Sequence, residues 1–185
     1  MPFPLLCLVA GILSFNGTVS LAAILTVNPA GGAMYTTVAS AVAAAASGDT
    51  IQCAAGTYPV LGNSTVTINK SLTLQGAQAG NDARPRGASP NPAVETVIPD
   101  LVSGPGKWTL ASSGVTIDGF YFNNVPPRTI EGSSMNLDNV AIRNCVLLAA
   151  TGAGNGTAGN IQFAAGSGKT LHQDRKSTRL NSSHT

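Results

Sequence analysis

Eight acidic side chains offer themselves for acid–base chemistry: Asp49, Asp82, Glu95, Asp100, Asp118, Glu131, Asp138 and Asp174. Hydrolysis by carboxylates needs two of them on one spot, and β-elimination needs acidic calcium ligands beside an Arg or Lys base. These acids are scattered singly, with no D-D or D-x-D pair. Metal ligation fares no better. His172 is the one histidine before the extreme C-terminus, and Cys7, Cys53 and Cys145 lack the spacing of a zinc site. Two glycine-rich stretches mimic nucleotide motifs. Residues 154–159 fit G-x-G-x-x-G, but the strand-like Asn160-Ile161-Gln162-Phe163 follows where a helix is required. Residues 166–170 resemble the end of a P-loop, with Phe163 where its first glycine belongs. Both read as turns, and nucleotide binding is excluded.

The best remaining constellation is Asp118 with Arg143, with Asp138 nearby in sequence, and Tyr121 is a separate outward candidate. Asp118 and Arg143 stand 25 positions apart, an offset at which the sequence repeats, so they are expected on one outward column of neighbouring strands. At about 4.8 Å between strands they form an exposed ion pair worth under about 1 kcal/mol. Tyr121 alternates outward between Phe120 and Phe122 and could stack on a sugar ring. Asp118, Tyr121 and Arg143 are the candidate ligand contacts. No catalytic, cofactor-binding or metal-binding residue is identified.

The elements that would position them come from internal repetition. Residues 115–122 (VTIDGFYF) overlie 140–147 (VAIRNCVL) at an offset of 25, with Val115 on Val140, Ile117 on Ile142, Phe120 on Cys145 and Phe122 on Leu147. Leu72-Thr73-Leu74-Gln75-Gly76 fits the first half at an offset of 43, and Ile51-Gln52-Cys53 fits 21 positions earlier still. Each unit is a short strand with one apolar face, a corner at Gly76, Gly119 or Asn144, and a second strand. Further strands are expected at 65–68, 95–98, 108–110, 136–137 and 161–163. Short strands recurring every 20 to 25 residues predict stacked coils of parallel β-structure. An antiparallel sandwich has a similar rhythm but no reason to match residue by residue at 25.

Gly48-Asp49-Thr50-Ile51, Ala55-Gly56-Thr57-Tyr58, residues 68–76 (INKSLTLQG) and Gly114-Val115-Thr116-Ile117-Asp118-Gly119-Phe120 together resemble the opening coils of secreted right-handed parallel β-helix proteins of the pectin-lyase-like superfamily. The resemblance covers residues 24–165. It implies an all-β, right-handed parallel β-helix, and it implies activity only weakly, because the superfamily spans lyases, hydrolases, adhesins and non-catalytic repeat domains. An Ala-rich segment at 35–47, stopped by Gly48, is the expected short helix capping the N-terminal end of the solenoid. Residues 77–94, rich in Pro and Gly, make one repeat about 18 residues longer than its neighbours. They read as an inter-coil insertion, first as a disordered surface loop and otherwise as a flank of a binding surface. Cys53 falls in the column of Leu74, Ile117 and Ile142, several coils from Cys145, too far for a disulfide. Both are expected as buried free thiols.

The ends differ in composition from the middle. Residues 5–13 are apolar and too short to span a bilayer, and Ser20-Leu21-Ala22 supplies small residues for cleavage, so 1–22 read as a signal peptide despite lacking Lys or Arg ahead of the apolar run. Residues 174–185 resemble a translated sequencing adapter and read as a non-native tail. Without Arg175, Lys176, Arg179 and Asp174 the chain carries seven charges of each sign, which gives nucleic acid nothing to bind. The chain is 43% apolar, 10% charged and 5% aromatic, which suits a packed β core of small and branched side chains and excludes a disordered chain.

The expectation is therefore an exported fragment spanning 23–173, about four or five coils, whose open final coil tends to self-associate. Its function is expected to be a non-catalytic secreted or surface module that presents a rigid ladder of Thr, Asn and Gln side chains for adhesion or glycan binding, with polysaccharide as partner, no nucleic acid and no membrane span. The alternative is the N-terminal part of a polysaccharide lyase or glycoside hydrolase whose catalytic coils lie further on. No cofactor is expected, and calcium enters only with the lyase alternative. Sequons at Asn63 and Asn155 matter only in a source that glycosylates Asn.

Overall fold

A computed structural model of the chain describes residues 21–59, 66–87, 89–99, 108–125, 130–132, 137–149, 161–162 and 179–181. Most of the expected signal peptide, the sequons at Asn63 and Asn155, both glycine-rich motifs and most of the expected tail lie outside these residues.

The described chain is mostly β. It opens with strand β1 (Ile24–Val27) and helix α1 (Val38–Ala44). There follow β2 (Thr50–Cys53), β3 (Gly56–Thr57) and β4 (Val66–Ile68). The next group is β5 (Thr73–Gln75), β6 (Thr96–Ile98) and β7 (Trp108–Leu110). After it come β8 (Thr116–Asp118), β9 (Phe120–Val125) and β10 (Ile130–Gly132). The last are β11 (Ala141–Arg143), β12 (Val146–Ala149), β13 (Ile161–Gln162) and β14 (Arg179–Asn181). Among the described residues they form three sheets in which every pairing is parallel. Sheet A runs β1-β2-β5-β8-β11, sheet B runs β3-β6-β9-β12-β14 and sheet C runs β4-β7-β10-β13. From β2 to β13 the chain visits A, B and C in that order four times, which is why the sequence repeats.

Register explains the core. In sheet A, Leu25, Ile51, Leu74, Ile117 and Ile142 lie on one inward row, all buried. The offsets of 43 (Leu74 to Ile117) and 25 (Ile117 to Ile142) match the sequence reading. The earliest one does not. Ile51, not Cys53, pairs with Leu74, so the offset is 23 and not 21. A slip of two keeps every side chain on its own face, so hydrophobic alternation alone does not distinguish the two registers. Sheets B and C close the core around Trp108, whose ring meets Phe120 and Phe122 edge-on at 5.3 and 5.1 Å between centroids. Phe120 and Phe122 lie two apart on β9 and so share its inward face.

Corners need backbone freedom at two positions. Gly119 (φ +78°) and Asn144 (φ +51°) take the left-handed conformation at equivalent places before β9 and β12, as glycine and asparagine can. Gly76 differs from the expectation: its φ is not left-handed, and glycine is needed there because a Cβ would meet the Gly119 carbonyl.

The expected helix is present but shorter, 38–44. Thr37 caps it, accepting from the Ser40 N–H at 3.2 Å, and Val38, Ala41 and Val42 bury one face. Its C-terminal carbonyls are satisfied by Lys70, whose Nζ donates to Val42, Ala43 and Ala45 at 3.2, 2.9 and 2.7 Å. Of the strand expected at 136–137, Leu137 is not in a strand and Asn136 lies outside the described residues. Cys53 and Cys145 are free and buried, as expected.

Candidate functional site

Outward positions of sheet A form a second row, one residue along from the core row: Thr26, Gln52, Gln75, Asp118 and Arg143. Their strands hold them in fixed register, about 4.8 Å apart. The first four line a groove with a cavity volume of about 760 Å3. One wall is the turn carrying Asn28, Gly32 and Ala33, and the other is the turn carrying Ala79 and Gly80. The first wall is fastened to β1, since Tyr35 N donates to Thr26 O at 3.0 Å and Asn28 N to Tyr35 O at 2.9 Å.

Asp118 fastens the second wall. Its Oδ1 accepts from Gly80 N at 3.1 Å and from Asn144 Nδ2 at 2.8 Å, while Oδ2 accepts from Arg143 Nε at 2.9 Å. The ion pair with Arg143 exists, but the sequence reading of it as exposed on both sides needs correction. The Asp118 side chain is 5% exposed against 50% for Arg143. A carboxylate so engaged positions the turn and the corner.

Tyr121 also needs correction. It points outward from sheet B as expected, yet it is fully buried, so it shows no ring face to a sugar. Val97, Tyr121 and Val146 pair across β6, β9 and β12 to form an outer apolar row, and Ala83 from the insertion covers it. The Tyr121 hydroxyl donates to Gly87 O at 3.2 Å. Arg86 lies beneath the same segment, donating to the carbonyls of Asn144 and Phe120 and lying 3.7 Å from Glu95. The segment expected as a disordered surface loop is instead a packed cover for sheet B. Asp118, Tyr121 and Arg143 are consequently not one surface cluster. Asp118 borders the groove, Arg143 is the next residue in its row, and Tyr121 lies inside a different sheet's covered face.

Within the expected ladder of Thr, Asn and Gln, the facing of Gln52 and Gln75 was not legible, because an offset of 21 sets Gln52 against Thr73. In the observed register Gln52 faces Gln75, and Gln52 Nε2 donates to Gln75 Oε1 at 3.4 Å. The recurring Thr-x-Gln of Thr50-Ile51-Gln52 and Thr73-Leu74-Gln75 was the available signal.

Nucleophilic chemistry is poorly served here. Cys53 borders the groove, but burial pushes its thiol up to about 12, so it stays protonated at neutral pH. Cys145 is pushed to about 12 by the same cause and lies in the core. Among the described residues no group of three His, Cys, Asp or Glu is placed to hold a metal ion. No helix among them is long and apolar enough to cross a membrane. Neither a protein-family model, nor a curated protein, nor a solved structure matches this chain.

Proposed function

We propose that the chain is an exported, right-handed parallel β-helix module of pectin-lyase-like type that binds glycan without cleaving it. The observation that carries the reading is the groove over sheet A. It presents Thr26, Gln52 and Gln75 from three neighbouring strands, while Asp118, the one carboxylate among its described lining residues, is engaged by three partners. A rigid row of hydroxyl and carboxamide groups suits hydroxyl-rich ligands, which donate and accept from the same atoms. Right-handed winding is the reading favoured for parallel strands joined by crossovers within one sheet. Export rests on the signal-like sequence at 1–22, and membership of the superfamily rests on the resemblance of residues 24–165.

Affinity electrophoresis of the full chain through gels containing polysaccharides tests the binding, with sugar release measured in parallel. Retardation without release of reducing ends or unsaturated products is the expected result. Release of either product would favour the lyase or hydrolase alternative. Unchanged mobility in every polysaccharide would refute glycan binding.

A further inference from the structure

The chemical class of glycan follows from the lining of the groove, and this step rests on the glycan-binding reading above. We infer that the groove takes an uncharged, extended polysaccharide chain, laid edge-on along Thr26, Gln52 and Gln75 and running across the strands.

Charge is the first argument. Among the described residues no Lys or Arg lines the groove, and Asp118 is already paired with Arg143. A uronate, a phosphate or a nucleic acid lying along Thr26, Gln52 and Gln75 would give up hydration there without meeting a described cation, the nearest being Arg143 at the end of the row, whose Nε is held by Asp118. A cationic ligand would have to displace Arg143 from Asp118.

Aromatic rings are the second. Among the described residues none lines the groove, and the outward-pointing Tyr121 is covered by the insertion. Stacking of a sugar face is therefore not the mode of contact, and the hydroxyl-bearing edge must face the protein.

Hydrogen-bond capacity and spacing are the third. The contact between the two glutamines uses one donor and one acceptor, leaving Gln52 Oε1 to accept and Gln75 Nε2 to donate. Thr26 Oγ1 accepts from Met34 N at 3.2 Å and keeps its own proton for a ligand. Asn28 uses Oδ1 for Ala30 N, which leaves its Nδ2. Adjacent strands are about 4.8 Å apart, close to the advance of one pyranose unit in an extended chain, so Thr26 to Asp118 spans roughly three units. The volume of about 760 Å3 accommodates a segment of that size.

The test is calorimetric titration of the full chain with neutral cello-, manno- and xylo-oligosaccharides of increasing length, and with oligogalacturonates, at low and high salt. The expected result is binding to a neutral series that strengthens up to about three units and is indifferent to salt. In Gln52→Ala and Gln75→Ala the affinity should fall roughly three- to tenfold each, with an unchanged melting temperature. Glutamine and alanine at these outward positions leave the core row intact, so the variants should fold. Salt-sensitive binding to oligogalacturonates alone would overturn the inference and leave glycan binding standing. Neutral binding that ignores both substitutions would also overturn it, by moving the ligand elsewhere. Failure of every oligosaccharide, together with no retardation on polymer, would sink the glycan reading itself.

Discussion

Replacing Tyr121 by alanine should unfasten the insertion from sheet B. The ring is fully buried between Val97, Val146 and Ala83, so truncation removes a large apolar contact and leaves a void. Comparable buried aromatic truncations cost about 3–5 kcal/mol. The hydroxyl contributes separately through its bond to Gly87 O at 3.2 Å, a neutral hydrogen bond worth about 1 kcal/mol. Tyr121→Phe should thus lose about 1 kcal/mol and Tyr121→Ala about 4 kcal/mol. A surface tyrosine would change stability by no more than about 0.5 kcal/mol on either substitution. Urea denaturation followed by circular dichroism gives both values. Amide exchange at Arg86, whose N–H donates to Ala83 O at 3.1 Å, reports the insertion directly and should quicken in Tyr121→Ala. If the alanine variant is as stable as the parent and the Arg86 amide exchanges no faster, the insertion does not pack as described.

Three further outcomes follow from the same structure. Gly119→Ala combines a left-handed φ of +78° with a Cβ driven into the backbone of Gln78 and Ala79, so it should lose at least about 3 kcal/mol in denaturant titration. Asn144→Gly keeps the left-handed conformation accessible at its own corner and gives up only the Asn144 Nδ2 bond to Asp118, so it should lose less, about 2 kcal/mol; a loss equal to that of Gly119→Ala would refute the steric argument. Asp49 accepts from Ala23 N at 2.8 Å and Ala46 N at 2.7 Å, and those bonds hold its carboxyl below the ordinary value of 3.8. Its contribution to stability is therefore full above that value and is lost as pH falls through the lower folded-state value. Exchange at β1 amides should accelerate there, and Asp49→Asn should flatten that response. Finally, thiol alkylation at pH 8 with peptide mapping should leave Cys53 and Cys145 unmodified in the native chain and modify both in guanidinium, since both thiols are buried and pushed to about 12. Native labelling of either would contradict its burial.

Parallel β-structure was legible because the inward residues repeat: Ile117 over Ile142 and Leu74 over Ile117 are matches of type at fixed spacing. The β2 register was not, because Ile51 and Cys53 are both apolar and both inward, so a shift of two costs nothing in alternation. That slip hid the facing of Gln52 and Gln75, and with it the groove. The direction of Tyr121 followed from alternation, but its burial depends on Ala83 and Gly87, more than thirty positions away across a segment without periodicity. Asp118 is similar. Its pairing with Arg143 follows the repeat, whereas its burial comes from Gly80 and from the side chain of Asn144. Strand pairing was thus written in local pattern, and what covers the strands was not.

Leu74 pairs with Ile117 across 43 positions just as Ile117 pairs with Ile142 across 25, so the extra chain after Gln75 leaves the strands on either side in step. The same stretch supplies Ala79 and Gly80 to one side of the groove. Pairing in sheet A and the length of the chain between its strands are thus set independently, and Asp118 is the post to which the inserted turn is moored.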